Sequence, residues 1–219
     1  MTVGLFREAF GRSKMTKEPR MDNPTLAYYN EFAEEFAERM ASIPMQSLYD
    51  RFLPLIPAGG HILDAGCGSG RDLKFFSECG YRVSGIDASA GMVAVATRVS
   101  GQPVRQLDFL DLDDRDAFDG IWCCASLLHV SEAQLPEVLA RLVRAAKTGG
   151  ILFMSFKEGN FSGLRHGRFF TDLTQPRLRE LLAEHQLEIV ELFRTADQRA
   201  ERVEEYWTNA VVRKIAPNV

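Results

Sequence analysis

A short apolar run that ends in three alternating glycines constrains the fold of this chain more than any other feature. The apolar pair at 62–63 leads into Asp64, and the following loop carries Gly66, Gly68 and Gly70. Glycine adopts positive φ at little cost and lets a ligand approach the backbone closely. The helix pattern that follows places free amide N–H groups at the same point. The pattern predicts a ligand site at the carboxyl end of a parallel strand.

Strand and helix patterns alternate after this loop and predict the fold class. Helices are expected at 70–79, 89–99 and 131–146, between strands at 61–64, 81–86, 103–107, 118–125 and 151–156. Such alternation indicates an α/β fold with a Rossmann-like, doubly wound and mostly parallel sheet.

The alternation stops near the C-terminus. A helix at 174–185 precedes two strands, at 188–194 and 207–213, with no helix between them. Strands joined without a crossover helix run antiparallel, so one antiparallel strand is expected at the sheet edge.

The length of 219 residues suits one domain, expected over 23–219, and two further helices are predicted before the glycine loop, within 25–56. Residues 1–22 mix basic and acidic side chains and are expected to form a disordered tail. The alternative, an organellar targeting segment, would be poor in acidic residues.

Composition excludes several classes of protein. The net charge is −4, which argues against a generally basic nucleic-acid binder. No apolar run reaches the length of a membrane span, and no secretory signal is visible. Scattered histidines predict no metal site. The absence of a CxxC pair predicts a cytoplasmic protein with reduced thiols at Cys67, Cys79, Cys123 and Cys124.

The ligand expected at the glycine loop carries a positive charge at one end. A dinucleotide fingerprint needs a third glycine where Arg71 stands, so that class of ligand fits poorly. Asp64, two residues before the first glycine, would repel a pyrophosphate and attract an ammonium group.

Two more acids extend the ligand site. Asp87 lies 23 residues after Asp64 at the end of a strand, where a carboxylate accepts hydrogen bonds from ribose hydroxyls. Asp108 follows the next strand and would accept from an adenine amino group, with Phe109 covering the base. For Asp108, a solvated acidic loop is the alternative. Together these residues predict a ligand with an amino group, a ribose and an adenine, but no phosphate.

The chain resembles the class I S-adenosylmethionine-dependent methyltransferases. The resemblance covers about 25–214 and is carried by the segments 64–70, 86–87, 107–109, 118–119 and 147–153. In the last of these, Thr148 replaces the proline that usually precedes the two glycines. The resemblance implies S-adenosylmethionine as cofactor and S-adenosylhomocysteine as product.

The resemblance also implies which residues hold the cofactor. They are Asp64, Gly66, Cys67, Gly68, Asp87, Ala88, Asp108, Phe109 and Ala125. An aromatic lid helix adds Tyr28 or Tyr29, as a partner of the carboxylate or by a cation–π contact with the sulfonium. For Tyr29, ordinary core packing is the alternative.

Candidate catalytic and substrate residues follow the fourth and fifth strands. His129 is a candidate general base, and the equal alternative is a histidine that packs against the cofactor or caps the following helix. Arg165 and Arg168 lie in a cationic insert that favours an anionic acceptor such as a carboxylate, and Trp207 is expected on the same side. An ordinary surface loop is the alternative for this insert.

The resulting hypothesis is methyl transfer to an oxygen, nitrogen or sulfur atom of a small molecule, by a monomer or homodimer. The chain lacks the motifs of amino-directed and C5-pyrimidine nucleic-acid methyltransferases, so no nucleic acid is expected. Two alternatives stay open: a module that binds the cofactor without catalysis, and a nicotinamide-dependent oxidoreductase.

Overall fold

A seven-stranded, mostly parallel sheet forms the centre of the protein, which a computed structural model describes over residues 23–199, 202 and 204–216. The strand order is β3-β2-β1-β4-β5-β9-β8. The α/β, doubly wound fold expected from the sequence is confirmed. The strands are β1 (His61–Ala65), β2 (Arg82–Asp87), β3 (Val104–Gln106), β4 (Phe118–Cys123), β5 (Ala146–Lys157), β8 (Leu187–Ala196) and β9 (Tyr206–Lys214).

Helices cover both faces of this sheet. They are α1 (Pro24–Glu31), α2 (Ala33–Ala41), α3 (Gln46–Phe52), α4 (Arg71–Glu78), α5 (Ala90–Ser100), α6 (Leu135–Ala145) and α7 (Gln175–Ala183). On one face, Leu139 and Leu142 of α6 pack with Leu152 in a fully buried cluster. On the other face, the indole of Trp122 stacks on Phe153 with ring centroids 4.1 Å apart. Strands buried on both sides explain the nearly continuous apolar runs of β4 and β5.

The antiparallel strand lies one position in from the sheet edge. β9 pairs antiparallel with both β5 and β8, so the outermost strand β8 runs parallel to β5. β5 is longer than predicted, because Ala146 already pairs with Phe118 before a bulge at 147–150. Gly149 and Gly150 lie within that bulge.

A two-stranded hairpin follows β5 and was not expected from the sequence. Its strands are β6 (Ser162–Arg165) and β7 (Arg168–Thr171). The amide of Phe169 donates to the Thr25 hydroxyl at 2.8 Å, which fixes the hairpin against α1. The hairpin therefore places the predicted cationic insert beside the first helix.

The first of the two helices expected within 25–56 bends at Phe32 into α1 and α2. Hydrogen bonding continues through the bend, because Phe32 donates to the Tyr28 carbonyl and accepts from the Phe36 amide. Asn23 caps α1, and Asn30 accepts a hydrogen bond from the Ser89 hydroxyl at 2.7 Å. These contacts hold α1 over the carboxyl end of β2.

The tail predicted over residues 1–22 lies outside the described residues. Among the helices that the structure does describe, none has the length and apolar content to cross a membrane.

Candidate active site

A cavity of about 420 Å³ opens at the carboxyl ends of β1, β2, β4 and β5. The strand order reverses between β1 and β4, and open α/β sheets bind ligands at such a reversal. Helices α1 and α2 form part of its wall.

The glycine loop forms the inner wall of the cavity. It turns at Gly66, where φ is +78°, and the amides of Gly66 and Cys67 both donate to the Ile86 carbonyl, at 2.8 and 3.0 Å. Gly66, Cys67 and Gly68 line the cavity as predicted. Burial raises the pKa of the Cys67 thiol well above its usual value. Cys67 therefore stays protonated and contributes a small apolar side chain.

Asp64 is a buried carboxylate with an unfilled hydrogen-bonding position. Its exposed fraction is 2%, and its Oδ2 atom has no hydrogen-bond partner among the described residues. Burial, followed by the nearby charge of Asp72, raises the pKa of Asp64 well above its usual value. A cation placed at Oδ2 would satisfy this oxygen and stabilise the ionised form, so the site fits an ammonium group.

Arg71 adds a positive charge beside Asp64 and was not predicted as a site residue. It lines the cavity, and its Nε donates to Asp72 at 2.6 Å while a terminal N–H donates to the Met40 carbonyl. A carboxylate and a guanidinium side by side match the two charges of an amino acid zwitterion. The sequence did hold a signal for this role, because Arg71 stands where a dinucleotide-binding loop would have its third glycine.

Asp87 lies at the end of β2 and lines the cavity with Ala88. Its two oxygens accept one backbone N–H each, from Gly68 at 3.0 Å and from Ser89 at 2.9 Å. Burial raises the pKa of Asp87, although these backbone hydrogen bonds oppose the shift. Each carboxylate oxygen keeps a second acceptor position, which suits two adjacent ribose hydroxyls. Ser89 caps α5, because its hydroxyl accepts from the Met92 amide.

Replacing Asp87 with alanine is expected to weaken the binding of S-adenosylhomocysteine by at least about tenfold, because hydrogen bonds to a carboxylate contribute about 1.5–3 kcal/mol. Calorimetric titration measures the dissociation constant. Asp114→Ala is the matched control, since Asp114 pairs with Arg105 and does not line the cavity. Equal affinities of the two variants would remove Asp87 from the site.

Asp108, Phe109 and Ala125 also line the cavity. The Asp108 side chain accepts from the Leu110 amide at 2.9 Å, so it caps the turn that presents Phe109. The Phe109 ring reaches to within 3.3 Å of the position that a Cβ on Gly66 would occupy. Ala125 has φ +51°, a left-handed conformation that brings its backbone to the cavity surface. The adenine contact proposed for Asp108 stays a prediction.

Tyr29 and His129 form a hydrogen-bonded pair on the cavity wall. The Tyr29 hydroxyl lies 2.9 Å from His129 Nε2, and His129 Nδ1 lies 2.6 Å from the Phe169 carbonyl. A carbonyl only accepts, so Nδ1 carries the proton and Nε2 accepts from the hydroxyl. Arg168 donates a further N–H to the Tyr29 oxygen at 3.3 Å. Tyr29 thus lies on the cavity wall and also packs against a small apolar cluster, so both positions considered for it are present.

Burial lowers the pKa of His129 to about 4. The imidazole is therefore neutral at pH 7, and its free lone pair already receives the Tyr29 proton. A group with this pKa holds an abstracted proton poorly. This geometry favours a positioning role for His129 over the general base considered from the sequence.

His129 also predicts a pH dependence of stability. Between about pH 6.5 and pH 4 the unfolded chain binds a proton at this residue and the folded chain does not, so lowering the pH through this window destabilises the fold. We expect a loss of up to about 3 kcal/mol in the free energy of unfolding from this group. Urea unfolding at pH 7 and pH 4.5 measures it.

His129→Asn should remove most of this pH dependence, because asparagine retains a donor for the Phe169 carbonyl but does not titrate. The control is His166→Gln, which changes an exposed histidine at the hairpin turn. If His129→Asn keeps the full pH dependence of the wild type, the interpretation of His129 as a buried neutral group is wrong.

Tyr28 does not line the cavity, contrary to the prediction. Its hydroxyl accepts from Arg39 at 3.2 Å, and its ring lies under the guanidinium of Arg168, 4.5 Å from ring centroid to Cζ. Adjacent residues on a helix point in directions about 100° apart, so Tyr29 faces the cavity while Tyr28 does not. Tyr28 instead supports Arg168 from behind.

The structure separates the two predicted arginines of the insert. Arg165 does not line the cavity, because its guanidinium makes two hydrogen bonds of 2.7 Å to the buried carboxylate of Asp172 and stacks on Phe161. Arg168 does line the cavity, and no ion pair joins it to a carboxylate among the described residues. Arg168 therefore keeps a positive charge available to a ligand.

Trp207 lines the cavity at the end of β9. Its indole N–H donates to Asp197 at 3.1 Å, and the ammonium of Lys157 lies 4.5 Å from its ring centroid. Trp207 can offer a ligand only apolar ring surface, since its single donor is already used.

Comparison with known proteins points to one family. The family described as a methyltransferase domain matches residues 62–150. A malonyl-[acyl-carrier protein] O-methyltransferase of Serratia marcescens is 34% identical over 149 residues, 63% of this chain and 57% of that protein. A tRNA (carboxymethyluridine(34)-5-O)-methyltransferase of Arabidopsis thaliana is 34% identical over 106 residues, 48% of this chain and 26% of that protein.

Solved structures of other proteins share this fold. A Burkholderia thailandensis 1,6-didemethyltoxoflavin-N1-methyltransferase, solved with that compound and S-adenosylhomocysteine bound, superposes with a TM-score of 0.70 and 24% identity, over 87% of this chain and 85% of that chain. This chain spans about half the length of the curated bacterial relatives that it matches. The matched domain, the sheet order and the cavity agree: residues 62–150 are similar to the methyltransferase-domain family, and the chain has the class I methyltransferase fold.

Proposed function

We propose that this protein transfers a methyl group from S-adenosylmethionine to an oxygen atom of a small anionic acceptor. The observation that carries the proposal is the pairing of an unfilled acceptor position on Asp64 with an unpaired cation, Arg168, in the wall of the same cavity. The first suits the cofactor's ammonium, and the second suits a negatively charged acceptor.

The residues present fit the cofactor. Asp64 and Arg71 would hold its amino acid end, Asp87 its ribose, and Asp108 with Phe109 its adenine. When bound, S-adenosylmethionine supplies a methyl group already activated by a positively charged sulfur. The glycine loop and helices α1 and α2 then exclude water and hold the acceptor in position.

The lack of a strong base on the described cavity wall favours oxygen. His129 is neutral with a low pKa, and burial raises the pKa of Tyr29 so that it stays protonated. A carboxylate or acidic phenol arrives already ionised and needs no base. The two curated relatives described above are named as O-methyltransferases, which agrees with this choice.

Three finer assignments belong to the same proposal. The acceptor is a small molecule rather than a nucleic acid, in keeping with the net charge of −4. The protein acts as a monomer or homodimer. It acts in the cytoplasm, which agrees with the free thiols of its four cysteines. A non-catalytic binding module is the second candidate.

The test begins with calorimetric binding of S-adenosylmethionine and S-adenosylhomocysteine. Radiolabelled methyl transfer is then measured with small carboxylic acids and phenols, with amines and thiols, and with tRNA. We expect micromolar cofactor binding and transfer to acids or phenols. Failure to bind the cofactor, or transfer only to amines, thiols or tRNA, would overturn the proposal. Binding without transfer to any acceptor favours the binding module.

Arg168→Gln should lower kcat/KM for an anionic acceptor by about tenfold or more, because a charge-assisted hydrogen bond is lost. The affinity for S-adenosylhomocysteine should change little. Arg165→Gln is the matched control on the same hairpin. It should lower Tm by breaking the pair with Asp172 and leave kcat/KM near the wild-type value. Equal losses of kcat/KM would remove Arg168 from acceptor recognition.

A further inference from the structure

A second cavity, of about 370 Å³, adjoins the first and is lined by four arginines. We name it the arginine cavity, after Arg39, Arg168, Arg199 and Arg202. Its described lining contains no carboxylate side chain. Most of its lining residues, Arg168, Arg199 and Arg202 among them, also line the first cavity, so the two are continuous and a ligand can extend from one into the other.

Arg39 and Arg168 differ from the other arginines of this cavity, because their guanidinium groups contact hydroxyls rather than carboxylates. Arg39 donates to the Tyr28 hydroxyl and Arg168 to the Tyr29 hydroxyl. Neither forms an ion pair with a carboxylate in the described chain. The Nε–H of Arg168 is buried and has no acceptor there either. A buried charged donor without an acceptor is costly, and an oxyanion would satisfy it.

The other two lining arginines, Arg199 and Arg202, each pair with a carboxylate. Arg199 pairs with Asp197 and Arg202 pairs with Glu205, while the Lys157 ammonium hydrogen-bonds to both of these carboxylates. Arg39 and Arg168 are therefore the two lining arginines without a carboxylate partner among the described residues.

We propose that the arginine cavity binds a phosphate or carboxylate group of the acceptor, at a position separate from the atom that receives the methyl group. This inference rests on the proposed function, since it places the acceptor's reacting end beside Tyr29 and Arg168. The acceptor then carries at least two polar ends: one lies near Tyr29, and a charged one reaches Arg39. Guanidinium groups bind both kinds of oxyanion through paired N–H donors, so the cavity recognises their shared chemistry.

The test uses pyrophosphate and citrate as probes, titrated calorimetrically into the full chain saturated with S-adenosylhomocysteine. The saturating nucleoside fills the cofactor end of the first cavity and leaves the arginine cavity open. We expect saturable binding of at least one probe. Arg39→Gln should weaken that binding by about tenfold, and Arg39→Glu should weaken it further. Arg39 is exposed, so both variants should fold.

Arg213→Gln is the matched control, because Arg213 lies at the opposite end of β9 and pairs with Glu188. It should leave probe affinity within about twofold of the wild type. Binding of pyrophosphate alone would identify a phosphorylated acceptor, and binding of citrate alone a polycarboxylate. No binding of either probe, or equal losses in Arg39→Gln and Arg213→Gln, would overturn the inference.

The titration with S-adenosylhomocysteine tests the proposed function separately from the role of the arginine cavity. If the nucleoside binds and neither anion does, the arginine cavity has no such role and the proposed function stands. If the nucleoside does not bind, the proposed function fails, and the inference about the acceptor fails with it.

Discussion

Replacing Asp64 with asparagine is expected to raise the Tm of the free protein while weakening S-adenosylhomocysteine binding by about tenfold or more. In the free protein Asp64 is fully enclosed, and its Oδ2 atom has no hydrogen-bond partner in the described chain. Its raised pKa means that ionising it costs folding free energy above its normal titration range. Asparagine removes that charge and adds an N–H donor, but it loses the attraction for an ammonium group.

The measurement pairs thermal unfolding with calorimetric titration at pH 7. For a chain of this size, each kcal/mol of stabilisation raises Tm by about 2–4 °C. Asp119→Asn is the control with the opposite expectation. The His61 amide and the Lys147 ammonium outweigh partial burial and lower the pKa of Asp119, so its charge stabilises the fold. A fall in Tm for both variants would contradict the assignment of Asp64 as an unsatisfied carboxylate.

The fold was largely predictable because its central strands are buried and its turns need glycine. β4 and β5 show nearly continuous apolar runs, and Gly66 and Gly70 adopt positive φ. The hairpin at 162–171 was missed for the opposite reason. β6 is exposed or half-buried along its length, so it lacks the alternation of apolar and polar residues that marks a strand.

The positions of side chains around the cavity were harder to predict than the positions of strands. Tyr28 and Tyr29 are chemically identical neighbours, and only the orientation of α1 decides which one meets His129. Arg165 and Arg168 differ in role because Asp172 folds back to pair with the first of them. Contacts between side chains that lie far apart in the sequence leave no local pattern in it.

The unfilled position on Asp64 shows a further limit of sequence reasoning. The sequence indicates a carboxylate before a glycine loop, and hence an attraction for a cation. It does not indicate that the buried backbone supplies too few N–H groups for both oxygens. That shortage distinguishes a ligand-binding acid from Asp119, whose two oxygens are already bonded to the Lys147 ammonium.

Gly66→Ala and Gly68→Ala are both expected to impair cofactor binding. The first does so by destabilising the fold, and the second by filling space in the cavity. A Cβ on Gly66 would lie 2.4 Å from the Cβ of Ser126, and φ there is +78°. Ser126 cannot move away easily, because it is buried and its hydroxyl donates to the Ala65 carbonyl at 2.7 Å. We expect Gly66→Ala to cost about 2–5 kcal/mol of folding free energy.

A Cβ on Gly68 meets only the Phe36 ring, at an ordinary contact distance of 3.6 Å. The positive φ of +51° costs about 1–2 kcal/mol, so the Gly68→Ala protein should still fold. Its added methyl group would occupy space in the cavity, because both Gly68 and Phe36 line it. Urea unfolding and cofactor titration together separate the two routes. Gly66→Ala should lose both stability and cofactor binding, whereas Gly68→Ala should lose mainly cofactor binding. Wild-type affinity in a folded Gly68→Ala protein would place the cofactor away from this loop.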